Sequence, residues 1–193
     1  MMTHLPKNPF CDICCRAKCM HQQARRQEPE DREVPERFGE KIHADHVIVG
    51  RKRQAHGLSG QKCGLFMLDR ATEMRDVAAL RAKSAKLTEN ALKFFIGDPA
   101  IGKTLFSDNA LELSKAAENL GWNHPTSTPH RPQGNSITER HIRIMGEGTR
   151  ANLVQSGLPH QFWTFAARAH CMSLNFTKKD GASPWEKLHG EEY

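Results

Sequence analysis

The sequence predicts an α/β domain, a mixed sheet with helices packed on it, and three observations predict it. Apolar residues recur at period two in short successive segments between residues 41 and 80. From residue 84 the spacing switches to the helical period. A short apolar strand and a short helix then precede two long helical stretches. With 193 residues, 38% of them hydrophobic, the chain is long enough for one domain with a real core plus an appendage.

Residues 1–21 are rich in proline, charge and cysteine and show no apolar period. Four of the six cysteines, Cys11, Cys14, Cys15 and Cys19, fall close together. That clustering is no disulfide framework; in a reducing compartment it reads as metal ligands or free thiols. His4 followed by Cys11-x-x-Cys14 has the form of part of a zinc site, because such a turn can present two thiolates to one tetrahedral ion. The remaining ligand is open among Cys15, Cys19, His21 and a residue upstream of Met1. The alternative of an incomplete, metal-free remnant stands beside it. Residues 22–40 read as a charged linker, and residues 41–193 as the principal domain.

From Lys41, Ile42, Ala44, His46 and Ile48 alternate with His43, Asp45, Val47 and Val49, which gives a strand with Asp45 on one face. A carboxylate there is costly to desolvate unless it is paired, binds metal or faces solvent at an edge. Gly50 to Lys62 reads as a hairpin loop with Arg51, Lys52 and Arg53 at its tip. Strands follow at Cys63 to Asp69 and Met74 to Leu80, completing an antiparallel meander. Ser84 caps a helix reaching Ile96, with Leu87, Ala91, Leu92 and Phe95 on one stripe. Lys103 to Phe106 is a short strand with Asp108 just past its end, and Leu111 to Leu120 is a short helix stopped by Gly121.

Thr128 to Arg140 joins a turn-rich loop to a helix start. Pro129 and Pro132 fix the backbone, Gly134 and Asn135 tolerate unusual dihedrals, and Ser136 stands three residues before Glu139, at capping-box spacing. The helix runs to about Gln155. At about 100° per residue, Arg143, Gly146 and Arg150 share the face of Glu139, while Ile137, Ile144, Met145, Gly148 and Ala151 form the expected buried face. A solvated helix face can carry the same pattern of acid and arginine. Pro159 to Thr177 reads as a further helix whose core stripe is Phe162, Phe165, Ala166, Ala169, Met172 and Phe176, with His170 as no ligand. Gly181 to Gly190 is a capped turn or short helix against the core.

The 28 basic and 22 acidic residues give a net charge of +6, which fits a polyanionic partner such as nucleic acid without demanding one. No apolar run approaches the roughly 20 residues that span a bilayer, and the opening residues lack a signal peptide's apolar core. The expectation is an intracellular protein of nucleus or cytoplasm, neither secreted nor held in a membrane.

Three carboxylates stand out: Asp45 within a strand, Asp108 past a strand end and Glu139 in the first turn of a helix. Strand ends and helix starts can meet at one sheet edge, where three acids repel one another unless cations intervene. Hard oxygen ligands suit magnesium or manganese.

Here the sequence resembles the integrase catalytic core of retroviruses and, more closely, of copia-type LTR retrotransposons. The residues that carry the resemblance are His4-Leu-Pro-Lys-Asn-Pro-Phe-Cys11-x-x-Cys14, similar to the end of a His-His-Cys-Cys zinc module, Ile42-His-Ala-Asp45 and Leu65-Phe-Met-Leu-Asp69. They continue with Phe106-Ser-Asp108-Asn, Pro132-Gln-Gly-Asn-Ser-Ile-Thr-Glu139-Arg140, Leu158-Pro and Ser183-Pro-Trp-Glu-Lys-Leu-His-Gly190. The resemblance implies an RNase H-like fold in which Asp45, Asp108 and Glu139 hold two Mg2+ or Mn2+ ions for 3′-end processing and strand transfer. It implies double-stranded DNA as partner, a homo-oligomer as working form, and zinc in the N-terminal module. Arg140, Arg143 and Arg150 become candidates for phosphate contacts, and Gln133 and Asn135 match loop positions that approach DNA. Asp69 matches a family acid outside the metal-binding set. The interval from Asp108 to Glu139 is shorter than is usual in the family, and the shortfall falls in the helix from Leu111. Two other readings remain: a catalytically inactive, nucleic-acid-binding remnant of a retrotransposon polyprotein, and a nuclease cutting RNA in hybrids, against which the Pro132-to-Arg140 loop and helix argue.

Overall fold

A computed structural model describes Phe10 and residues 35–49, 55–125 and 136–191. The chain divides into two units, 1–33 and 34–193, and the account below concerns the second. The expected zinc ligands His4, Cys11 and Cys14, the basic tip 51–53, and the loop residues Gln133 and Asn135 lie outside the described residues.

Four strands form one sheet in the order β3-β2-β1-β4. Strand β1 (Ile42–Ile48) pairs antiparallel with β2 (Cys63–Asp69), from Ile42 opposite Asp69 to Ile48 opposite Cys63. Strand β3 (Arg75–Leu80) continues the meander, and β4 (Leu105–Phe106) lies parallel to β1 on its other side. Every residue of β2 is buried, as expected of a strand with covered faces. The sheet is therefore mixed, as the sequence predicts, although β4 has two residues where four were expected. Thr104 still forms a parallel bridge, with Asn123 rather than β1.

Alternation along β1 and β2 divides the core. Ile42, Ala44, Leu65 and Met67 pack with Leu92 and Ile96 of α1 (Ala85–Ile96) and with Leu113, Ala116 and Ala117 of α2 (Leu111–Leu120). On the opposite face Phe66, Val77 and Val47 pack with Met145 of α3 (Ser136–Ser156) and with Ala167 and Cys171 of α4 (Trp163–Phe176). Each large side chain buried completely, such as Leu92 or Met145, contributes about 1.5–3 kcal/mol. The helix boundaries follow from their ends. Ser84 accepts a hydrogen bond from the Leu87 amide, and Gly121 ends α2 at a φ of 70°, a left-handed conformation costly for residues bearing a Cβ. A capping box at Ser183 and Glu186 starts α5 (Pro184–His189).

Two helix faces differ from the sequence reading. In α4 the buried residues are Trp163, Thr164, Ala166, Ala167, Cys171 and Asn175, while Phe165 and Met172 are 63% and 60% exposed. Only Ala166 of the expected stripe is buried there, because beyond Trp163 at its start α4 closes on α3 and β3 with small residues such as Ala166, Ala167 and Cys171 and leaves Phe165 and Met172 outside. In α3 Met145 is buried as expected, but Ile137 and Ile144 are exposed and Ala151 lies on the surface. Thr138, His141 and Leu153 take the inner positions. A polar bond accompanies this rotation: the buried Thr138 hydroxyl lies 3.0 Å from Nδ1 of His43 on β1. Among the described residues no helix is long and apolar enough to cross a membrane.

Candidate active site

The parallel pairing of β1 and β4 sets Ile42 opposite Leu105 and His43 opposite Phe106. Continuing that register two residues brings Asp45, in the middle of β1, level with Asp108, two residues past the end of β4. Thr138, one residue before Glu139, is fixed to His43 on the Asp45 face of β1, so the first turn of α3 lies over the same sheet end.

Asp45 is half-buried, and its Oδ1 accepts a 2.7 Å hydrogen bond from the His46 amide. Its pKa is pushed up to about 6, first by burial, then by the negative charge of Asp108, with a smaller push from Glu139. The His46 bond and the exposed ammonium of Lys83 act in the opposite direction. Asp108 is half-buried and accepts a hydrogen bond from the Ala110 amide at 3.3 Å; Glu139 is exposed. The three acids thus share an electrostatic neighbourhood. Among the described residues, however, no three His, Cys, Asp or Glu side chains form a ready metal-ligand group. The donor chemistry nonetheless fits a hard divalent cation, because such an ion would offset both the burial that chiefly lifts Asp45 and the lesser repulsion from Asp108 and Glu139.

Arg140, Arg143 and Arg150 are all exposed on α3, and none forms an ion pair among the described residues. Asp69 behaves differently from the three acids. It is completely buried and accepts hydrogen bonds from the Gly39 amide and from both the amide and the hydroxyl of Thr72. Its Oδ2 is committed to Thr72 in the β2–β3 turn and its Oδ1 to Gly39, ahead of β1. A cavity of about 310 Å³ lies elsewhere, lined by Asp76, Phe94, Phe95, Arg168 and Met172 among others, and none of the three acids lines it.

Sequence reasoning missed the polar residues around the acids. His43 Nδ1 lies 3.0 Å from the Thr138 hydroxyl, His46 Nε2 3.1 Å from that of Thr88, and His124 Nε2 2.7 Å from that of Ser107. All three imidazoles have lowered pKa values, chiefly through burial, His43 to about 3. Their signal in the sequence was the hydroxyl or imidazole standing next to each acid; the partners were out of sight. Lys83 was also missed, and its position after β3 gives no sequence sign that its charge acts on Asp45.

No family model matches the chain. Over 133 residues, 66% of its length, it is 28% identical to the retrovirus-related Pol polyprotein from transposon RE2 of Arabidopsis thaliana, of which it spans 8%. Among solved structures it is similar to a chain of the simian T-cell lymphotropic virus intasome in complex with PP2A regulatory subunit B56 gamma. The TM-score is 0.67 at 14% identity, covering 93% of this chain and 63% of that one. It is similar to the catalytic core domain of BIV integrase, with a TM-score of 0.54 at 17% identity and coverage of 77% and 92%. A third likeness is to the HTLV-2 integrase catalytic core domain in complex with magnesium, in a trimeric form, at 0.57 and 15%, covering 79% and 98%. The mixed sheet, with helices on both faces, is the RNase H-like fold of integrase catalytic cores.

Proposed function

We propose that the chain is the catalytic core of a copia-type retrotransposon integrase, a polynucleotidyl transferase acting on double-stranded element ends and target DNA. The observation that carries this reading is the β1–β4 register, which sets Asp45 level with Asp108, together with the Thr138–His43 bond, which holds the residue before Glu139 on the Asp45 face of β1. Asp45, Asp108 and Glu139 would hold two Mg2+ or Mn2+ ions. Such ions, when bound, supply activation of the attacking oxygen and stabilisation of the leaving 3′-oxygen. The chain itself supplies the frame. The strands fix two acids, α3 brings the third, and Arg140, Arg143 and Arg150 present cations along the outer face of that helix to the phosphate backbone. Gln133 and Asn135, in the segment leading into α3, are assigned to DNA approach. The working form is a homo-oligomer inside the cell.

The test is strand transfer of labelled terminal-repeat ends into target DNA with Mg2+ or Mn2+, comparing the wild type with Glu139→Gln. Transfer that depends on metal and is lost in the variant is the expected result. DNA binding without transfer under either metal would identify an inactive remnant instead.

A further inference from the structure

Each of the three acids has a chain neighbour engaged in a histidine–hydroxyl hydrogen bond. His46, after Asp45, bonds to Thr88 in the first turn of α1; Ser107, before Asp108, bonds to His124; Thr138, before Glu139, bonds to His43 of β1. The residues so joined are far apart in sequence, 42, 17 and 95 positions respectively, so each bond fixes one acid-bearing segment to a different part of the fold. His43, His46, Thr88, Ser107 and Thr138 are all buried.

The hydrogen-bond directions follow from the hydroxyl protons. Thr88 Oγ1 donates to the Ser84 carbonyl at 2.9 Å and Ser107 Oγ donates to the Asp108 carbonyl at 2.8 Å. A hydroxyl has one proton, so both must accept from histidine, and His46 and His124 carry the proton on Nε2. His43 uses its other nitrogen, Nδ1, and its Nε2 is buried without a partner. A bare Nε2 lone pair is cheaper to bury than an unpaired N–H, which places the His43 proton on Nδ1, donated to Thr138.

We infer that these three histidine–hydroxyl pairs are positioning residues for the triad, pinning the backbone beside each carboxylate. The inference rests on the proposed metal-binding role of Asp45, Asp108 and Glu139. The Thr138 pin matters most. Glu139 projects from a helix end, whereas Asp45 sits within the central strand.

The experiment is Mn2+ binding to the free chain, read by electron paramagnetic resonance without DNA, alongside the melting temperature. Thr138→Val keeps the shape of the side chain and removes the bond, and should weaken Mn2+ binding on the order of 10- to 100-fold, as loss of outer partners does at metal sites. Thr138→Ser should restore it, and Thr164→Val, which removes a buried hydroxyl on α4, should leave it unchanged. A reciprocal pair of amides provides a check that leaves Thr138 itself unmutated. The nitrogen of Asn reaches about as far as Nδ1 and that of Gln about as far as Nε2, so His43→Asn should bind better than His43→Gln, and His124→Gln better than His124→Asn. The inference is overturned if Thr138→Val binds as the wild type does, if serine fails to restore binding, or if the amides show no such reciprocity. Should Thr138→Val melt below the assay temperature, the amide pairs decide. Unchanged Mn2+ binding in Glu139→Gln would sink the metal-site reading and this inference with it; loss there, with Thr138→Val intact, would sink the positioning role alone.

Discussion

Asp45 accepts one short hydrogen bond, from its neighbour's amide, whereas Asp69 on the adjacent strand accepts three, and their chemistry diverges accordingly. Because the folded-state pKa of Asp45, about 6, lies above its ordinary 3.8, this group favours folding below the lower value, and that contribution is lost as pH rises through 6. Above pH 6 the ionised carboxylate is therefore a cost. Asp45→Asn should stabilise the chain at pH 7.5 by about 1 kcal/mol, discounted for the partial exposure of the group, with the gain fading toward pH 4; urea unfolding at several pH values measures it. In the same series, the carboxyl 13C titration of Asp45 should shift to lower pH in Glu139→Gln. An unmoved titration would separate the two acids.

The helices carry the next level of constraint. Glu89 of α1 is buried, bonds to Lys93 and Lys86 of its own helix, and accepts from Asn119 of α2 at 3.1 Å. These partners, Lys93 foremost, lower its pKa from 4.5 to about 2. A depressed carboxylate stabilises the fold above its unfolded value, and the effect is lost as pH falls through its folded one. Glu89→Gln should thus lower the melting temperature at pH 7, and the difference from wild type should close between pH 4.5 and 2. On the other face, α3 and α4 meet where the His170 ring lies against Gly148, in the space a Cβ would fill. Gly148→Ala should cost about 1–3 kcal/mol by overpacking, despite alanine's better helix propensity, as denaturant unfolding would report. The same contact shows why helix faces were hard to read from sequence. Aromatic residues drew the expected stripe on α4, but close approach required small ones, and the stripe moved.

At the scale of the molecule, the order of strands and helices was legible because caps and periods are local: Ser84, Gly121, Ser183 and the alternation in β1 announce themselves. The three acids were legible as residue types in a recognisable order. Their supports were not, since the His43–Thr138 bond joins residues 95 apart and no local pattern encodes it. The net charge of +6 and the exposed arginines of α3 belong to this scale too. Binding to nonspecific duplex should weaken with salt, and Arg143→Ala combined with Arg150→Ala should reduce the slope of log K against log salt by about 2, one per lost phosphate contact. A titration series by fluorescence anisotropy checks it, and an unchanged slope would remove that face from the DNA path.

The contrast between the two acids also carries an evolutionary consequence. Replacing Asp69 orphans three buried donors, whereas replacing Asp45 relieves a repelled, half-buried charge. Copies of such a gene released from selection for activity, but still screened for folding, would drift downhill at Asp45 and be held at Asp69. In a collection of decayed sibling sequences, loss of Asp45 should therefore outpace loss of Asp69.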